Sequence, residues 1–107
     1  MAFTEARLGA SRPGDTNNAT VYTTSAVTVI TAIRICNTTA TAATFRLFLT
    51  PSGGSADQTT AIYYDYNVPP NSTVSDDGKH VLAASATIQF RVGTASALTC
   101  TISGYTL

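Results

Sequence analysis

The sequence predicts an all-β fold, an antiparallel β-sandwich of jelly-roll-like type with seven to eight short strands, and three observations carry that prediction. From Thr20 onward apolar residues recur with a period of two, the spacing that sends alternate side chains to opposite faces of a sheet. Turn-forming clusters interrupt the alternation about every 8 to 12 residues, the rhythm of sandwiches and jelly rolls, with no helical pattern between them. Threonine makes up roughly a fifth of the 107 residues, whereas Lys79 and Glu5 are the one lysine and the one glutamate, so the polar positions are β-branched and helix is disfavoured.

Taken in order, residues 1–18 lack sustained periodicity and are rich in turn formers such as Gly9, Pro13, Gly14 and Asn17, which predicts an extended N-terminal arm ahead of a single domain at 19–107. Thr20 to Thr24 reads as a short first strand. Ala26 to Cys36 reads as a long second one, with Val27, Val29, Thr31, Ile33 and Ile35 on one face. After a turn at Asn37 to Ala40, Phe45, Leu47 and Leu49 alternate with Thr44, Arg46 and Phe48 until Pro51 closes the strand. Beyond a Ser52-Gly53-Gly54-Ser55 loop, Ala61 to Val68 places Ile62, Tyr64, Tyr66 and Val68 opposite Ala61, Tyr63, Asp65 and Asn67. Pro69 and Pro70 end it, since neither donates a ladder hydrogen bond. Ser72 to Ser75 and Val81 to Ala84 are brief strand candidates around an Asp76-Asp77-Gly78 turn. Ile88, Phe90 and Val92 mark the next strand, and Leu98, Cys100 and Ile102 the last. There the alternation breaks at Gly104: either a bulge returns Tyr105 and Leu107 to the core, or they are outward-facing contact residues.

At 107 residues one modest core fits and two do not. Six acidic and six basic residues cancel, so no long-range field draws in nucleic acid or anionic lipid, and neither a nucleic-acid nor a membrane partner is expected. Charged residues are only 11% of the chain, which leaves a largely uncharged surface that repels copies of itself weakly and favours assembly. No apolar run reaches the length of a signal peptide or a membrane span, so synthesis in the cytoplasm is expected. Cys36 and Cys100 both fall in strand patterns and read as small buried hydrophobes, oxidisable only if their strands are neighbours.

Little of the sequence speaks for chemistry. His80 is the single histidine and has no evident sequence partner for acid–base work. Asp76-Asp77-Gly78 lacks the spaced ligands of a calcium loop, and Cys and His are too few for a structural zinc site. No catalytic, cofactor-binding or metal-binding residue is therefore expected, and no cofactor. The residues that draw notice are contact types. Tyr63 and its neighbouring tyrosines supply large contact area at low entropic cost, and Tyr63, Asp65 and Asn67 on one strand face would suit a glycan. Arg34, Arg46 and Arg91 occupy the minor faces of strands, as solvated residues or as subunit contacts. With Tyr105 these make the candidate interface set Arg34, Arg46, Tyr63, Asp65, Arg91 and Tyr105.

From Tyr22 to Gly104 the chain resembles a group of short phage and prophage structural proteins. The likeness rests on a Tyr-Thr strand, on Ile33-Arg34-Ile35-Cys36-Asn37, on Ala42 to Leu47, on the Pro51 to Gly54 loop and on Ile62 to Asp65. Leu82 to Ala84 and the Val92 to Ser96 turn complete it. Cys100 departs from the pattern where a larger apolar residue belongs, as does the Tyr105-Thr106-Leu107 ending without an acidic residue. The resemblance implies a β-sandwich virion component, foremost a capsid decoration (cement) protein that trimerises and clamps the major capsid protein on the shell. It implies no particular site residues. The alternatives are a tail, baseplate or fibre-associated structural or glycan-binding module, a small hydrolase or lyase on a jelly-roll scaffold with His80 as its single histidine, and an exported adhesin with a Cys36 to Cys100 bond.

Overall fold

The computed structural model describes residues 5–107. Nine strands and no helix occur among them: β1 (Ala6–Ser11), β2 (Ala19–Thr23), β3 (Thr28–Asn37), β4 (Ala43–Thr50), β5 (Ala61–Val68), β6 (Thr73–Asp76), β7 (His80–Leu82), β8 (Thr87–Val92) and β9 (Leu98–Thr106). They form two antiparallel sheets. The first runs β1-β9-β3-β6, with β7 also on β3, and the second runs β2-β8-β4-β5. β6 and β7 share one side of β3, taking Ile33 to Cys36 and Thr28 to Ile30 respectively.

The two inner faces meet in one core. Ile30, Ile33, Ile35, Leu98, Cys100 and Ile102 come from the first sheet, and Phe45, Leu47, Val68, Ile88, Phe90 and Val92 from the second. Alternation explains most of this, since β8 buries its even positions and β9 every second residue from Leu98 to Gly104. Burying such aliphatic and aromatic side chains contributes about 1.5–3 kcal/mol each. Polar chain ends are tied off within the same layer. Asn37 is buried, donates to the carbonyls of Thr41 and Val68, and accepts from the Thr39 amide and hydroxyl. Thr24 donates to the carbonyl of Ala83 and accepts from the Ala86 amide, which pins the end of β2 to the turn before β8.

Three expectations change. Residues 1–18 are not an arm throughout: Ala6–Ser11 is a strand, paired with β9 from Ala6↔Gly104 to Ser11↔Cys100. It raises the strand number above the seven or eight anticipated, while residues 1–4 of that arm lie outside the described residues. The following segment is anchored too, because Arg12 donates twice to the carbonyl of Ser96, and the Ser96 amide donates to that of Pro13. Second, a bulge between Ile30 and Ala32 shifts the phase of β3. Ile30 thereby joins Ile33 and Ile35 in the core, and Val29, expected with them, lies outside the core cluster between its cross-strand neighbours Val81 and Tyr105. Third, β9 does not bulge at Gly104. Its flanking strands do, at Leu8 and Thr31, and Gly104 stays buried because any Cβ there would collide with the Val29 carbonyl. Tyr105 is thus kept off the core face, half-buried, and Leu107 is exposed.

Candidate interaction surface

The best-organised group of polar side chains lies on the outer face of the second sheet. Arg46 of β4 and Arg91 of β8 are direct cross-strand partners there. On the other flank of β4, the pairing with β5 runs Phe45↔Tyr66 and then Leu47↔Tyr63, so Tyr64 and Asp65 together oppose Arg46. That two-for-one bulge places Asp65 in the left-handed region at φ 53°, a conformation that short polar side chains tolerate best. The consequence is a guanidinium gripped from two directions. Arg46 donates Nε to Asp65 Oδ1 at 2.7 Å and Nη2 to Oδ2 at 3.2 Å, while its Cζ sits 4.0 Å from the centre of the Tyr64 ring. The paired hydrogen bond holds the Asp65 carboxyl below its ordinary range and raises the Arg46 guanidinium. Arg91 is oriented by its Nε donating to the carbonyl of Thr16 at 2.9 Å, so the segment before β2 braces it.

Beside this cluster lies a pocket of about 440 Å³, bordered by Asn18, Arg46, Asp57, Gln58, Tyr64 and Arg91, with Phe48 also contributing. The loop that forms one wall is internally tied. Asp57 accepts from the amide and hydroxyl of Thr59, bonds that lower its carboxyl pKa, and the Thr60 hydroxyl donates to the carbonyl of Ser55. A smaller hollow of about 220 Å³ shares Arg46 and Arg91 and adds Thr16, Asp65 and Gly93.

Of the six expected contact residues, the fold thus gathers Arg46, Asp65 and Arg91 and separates the other three. Arg34 lies on the first sheet and pairs with Asp77 at 2.8 Å. Tyr105 is on the same sheet beside Val29. Tyr63 turns inward: its ring lies 5.3 Å from those of Phe45 and Tyr66, and its hydroxyl donates to Asp76 Oδ2 at 2.9 Å. The expected glycan face of Tyr63, Asp65 and Asn67 does not form, because the bulge at Tyr64 and Asp65 breaks the alternation that would have aligned them. Tyr64, read in the sequence only as one of a run of contact tyrosines, is the ring that packs on Arg46; no signal in β5 alone announces the bulge that brings it there.

Tyr63 and Asp76 instead join the free edges of the two sheets. Asp76 also accepts from the Gly78 amide and lies 3.3 Å from His80 Nε2, so the histidine read as lacking a partner has one. Burial works against the Asp76 carboxylate, but hydrogen bonds from Tyr63, Gly78 and His80 outweigh it and the pKa falls. Burial and the Asp76 bond push the Tyr63 hydroxyl up to about 12. With three donors converging on it, this carboxylate acts as a strut between sheets.

Cys36 and Cys100 sit on paired strands, in the register Ile35↔Cys100 and Cys36↔Thr99. One is half-buried on the outer side and the other is buried in the core, so they face opposite sides of the sheet and are free thiols. Burial raises the Cys100 thiol to about 12. The Cys36 to Cys100 bond that an exported adhesin would need does not fit this register. Among the described residues, no three His, Cys, Asp or Glu side chains gather as a metal site, and no helix is long and apolar enough to cross a membrane. No family model, no curated protein and no solved structure matches the chain.

Proposed function

We propose that the chain is a virion structural protein, a capsid decoration protein that binds the outside of the major capsid shell as a homotrimer, in a β-sandwich of jelly-roll topology. Strand order supports the topology. If β6 and β7 are taken as one interrupted strand, the sheets read 1-8-3-6 and 2-7-4-5 in the renumbered series, the interleaved arrangement produced by two Greek keys. The observation that carries the role is the neutrality of the outer faces. Arg34 is paired with Asp77 and Arg46 with Asp65; Arg91, opposite Arg46, is held by the Thr16 carbonyl, and outward positions such as Thr44, Thr99, Thr101 and Ser103 carry no charge. Such faces dock against protein with little charge to desolvate. A subunit that binds only the closed shell stabilises it by mass action, repeated over every copy, and no chemistry is needed.

Since Ala6–Ser11 is used inside its own sheet, the proposed contact lies on sheet faces and edges rather than on residues 6–11 of a reaching arm. The experiment is cryo-electron microscopy of purified particles carrying the chain. Density for it in many symmetry-related copies on the shell, together with lower heat resistance of particles lacking it, is the expected result. Density in a few copies at the tail would replace this reading with the tail, baseplate or fibre module. The pocket beside Tyr64 is the observation that favours that second reading.

A further inference from the structure

We infer that the pocket beside Tyr64 is a binding site for a neutral pyranose sugar, a role that does not depend on whether the chain sits on a shell or a tail. Its volume of about 440 Å³ falls within the usual range for small-ligand pockets and exceeds what one hexose ring needs. Three properties select the ligand class.

The first is an exposed aromatic surface. Tyr64 is 44% exposed, yet its ring is fixed by the Arg46 guanidinium 4.0 Å from its centre. With Arg46 over one face of the ring, its opposite face is the platform this assignment gives to the C–H face of a sugar, and a ring so held gives up little rotamer entropy on binding. The second is a mixed set of donors and acceptors. Arg91 and the amides of Asn18 and Gln58 offer N–H groups, whereas Asp57 and the amide oxygens offer acceptors. A sugar hydroxyl both donates and accepts, so it uses such a set fully; a phosphate or carboxylate would leave the acceptors unmet. The third is charge balance. Arg46 is committed to Asp65, and the lining carries the Asp57 carboxylate as well as the Arg91 guanidinium, in a chain of zero net charge. No net field favours an anion.

The site is also built before any ligand arrives. Arg46 is held by the two-oxygen bond to Asp65, Arg91 by the Thr16 carbonyl, and the loop carrying Asp57 by its own Thr59 and Thr60 hydrogen bonds. Fixed polar groups lose less on binding than mobile ones, which matters for a ligand whose hydroxyls gain little over water.

The test is an NMR titration of the intact 15N-labelled chain with the methyl glycosides of glucose, galactose and mannose and with N-acetylglucosamine, alongside glucuronate and inorganic phosphate. Saturable shifts with at least one neutral sugar are expected in the millimolar range, confined to the side-chain N–H groups of Asn18, Arg46, Gln58 and Arg91 and the backbone amides of Asn18, Tyr64 and residues 56 to 59. Tyr64→Ala and Arg91→Ala should each weaken that binding about tenfold or more, equivalent to about 1.4 kcal/mol. Arg34→Ala, on the other sheet, should leave it unchanged, and the amide spectrum of each variant reports whether it is folded. No saturable shift with any of the neutral sugars, saturation mapping to another surface, or tighter binding of glucuronate or phosphate would each overturn the assignment.

Discussion

The two sheets are joined at both edges, by different means. At the β1/β2 edge the backbones themselves approach: a Cβ on Gly9 would lie 2.5 Å from the carbonyl oxygen of Val21, so the position admits no side chain. At the β5/β6 edge the strands stay further apart and side chains cross the gap, Tyr63 reaching Asp76 with His80 behind it. A backbone closure tolerates no added atoms and contains nothing to titrate. A side-chain closure can be edited atom by atom and responds to pH. The fold thus has one edge set by shape and one set by protonation.

The largest test of that contrast is Gly9→Ala. Overpacking against a carbonyl that belongs to the neighbouring backbone should destabilise the protein by about 3 kcal/mol. In a chain of this size thermal unfolding would then fall by at least about 10 °C. Retention of the wild-type midpoint would mean that β1 is not held against β2. Asp76→Ala comes next, at about 2 kcal/mol, because it strands the Tyr63 hydroxyl and the Gly78 amide without an acceptor.

That edge should also show in the pH dependence. The Asp76 pKa is lowered by folding, so its contribution is complete above the ordinary carboxyl value of 3.8 and is lost as pH falls through the lower folded value. Denaturant titrations at acid pH should show this limb in the wild type and a flatter one in Asp76→Asn, whereas Gly9→Ala should keep it. Tyr63 has the opposite sign. Its pKa is raised from 10.0 to about 12, so its contribution is complete below pH 10 and disappears as pH climbs from 10 to 12. Tyr63→Phe should cost about 1 kcal/mol at neutral pH and remove that alkaline limb. The smallest effect is expected from Arg12→Ala. Its two bonds to the Ser96 carbonyl are exposed, so the loss should register as faster hydrogen exchange around Ser96 rather than as a shift of the global midpoint.

What the sequence made legible follows from what is local. Pro51, Pro69, Pro70 and the Asp76-Asp77-Gly78 turn end strands through their own backbone constraints, so the elements from β3 to β9 fall near their expected places. Side-chain facing is different, because a bulge depends on the register of two strands at once. The insertions at Thr31 and Tyr64–Asp65 carry no glycine or proline signal, and each reverses the faces beyond it, while the one at Leu8 adjoins Gly9 in a segment whose turn formers read as a loop. For this reason the sequence places Val29 on one face with Ile33 and Ile35, and Tyr63 on one face with Asp65, whereas the structure separates both groups. β1 was unreadable for a related cause: its partners, Cys100 to Gly104, lie at the other end of the described chain, and an edge strand needs no strict alternation. In the candidate pocket, Arg46 and Arg91 were visible as outward polar residues, while Tyr64, Asp57 and Asn18 are brought to them only by tertiary structure.

The placement of β9 has a further consequence, for how the molecule is made. β9 lies between β1 and β3, and among the described residues β1 shares a hydrogen-bonded ladder with no other strand. As the chain leaves the ribosome, the earliest strand must wait unpaired until the latest emerges, so the first sheet closes only after synthesis of the domain is nearly finished. Folding should therefore be slow for the domain's size and concerted, and a chain interrupted before Leu98 would leave two unsatisfied strand edges facing a missing centre, an open template for aggregation.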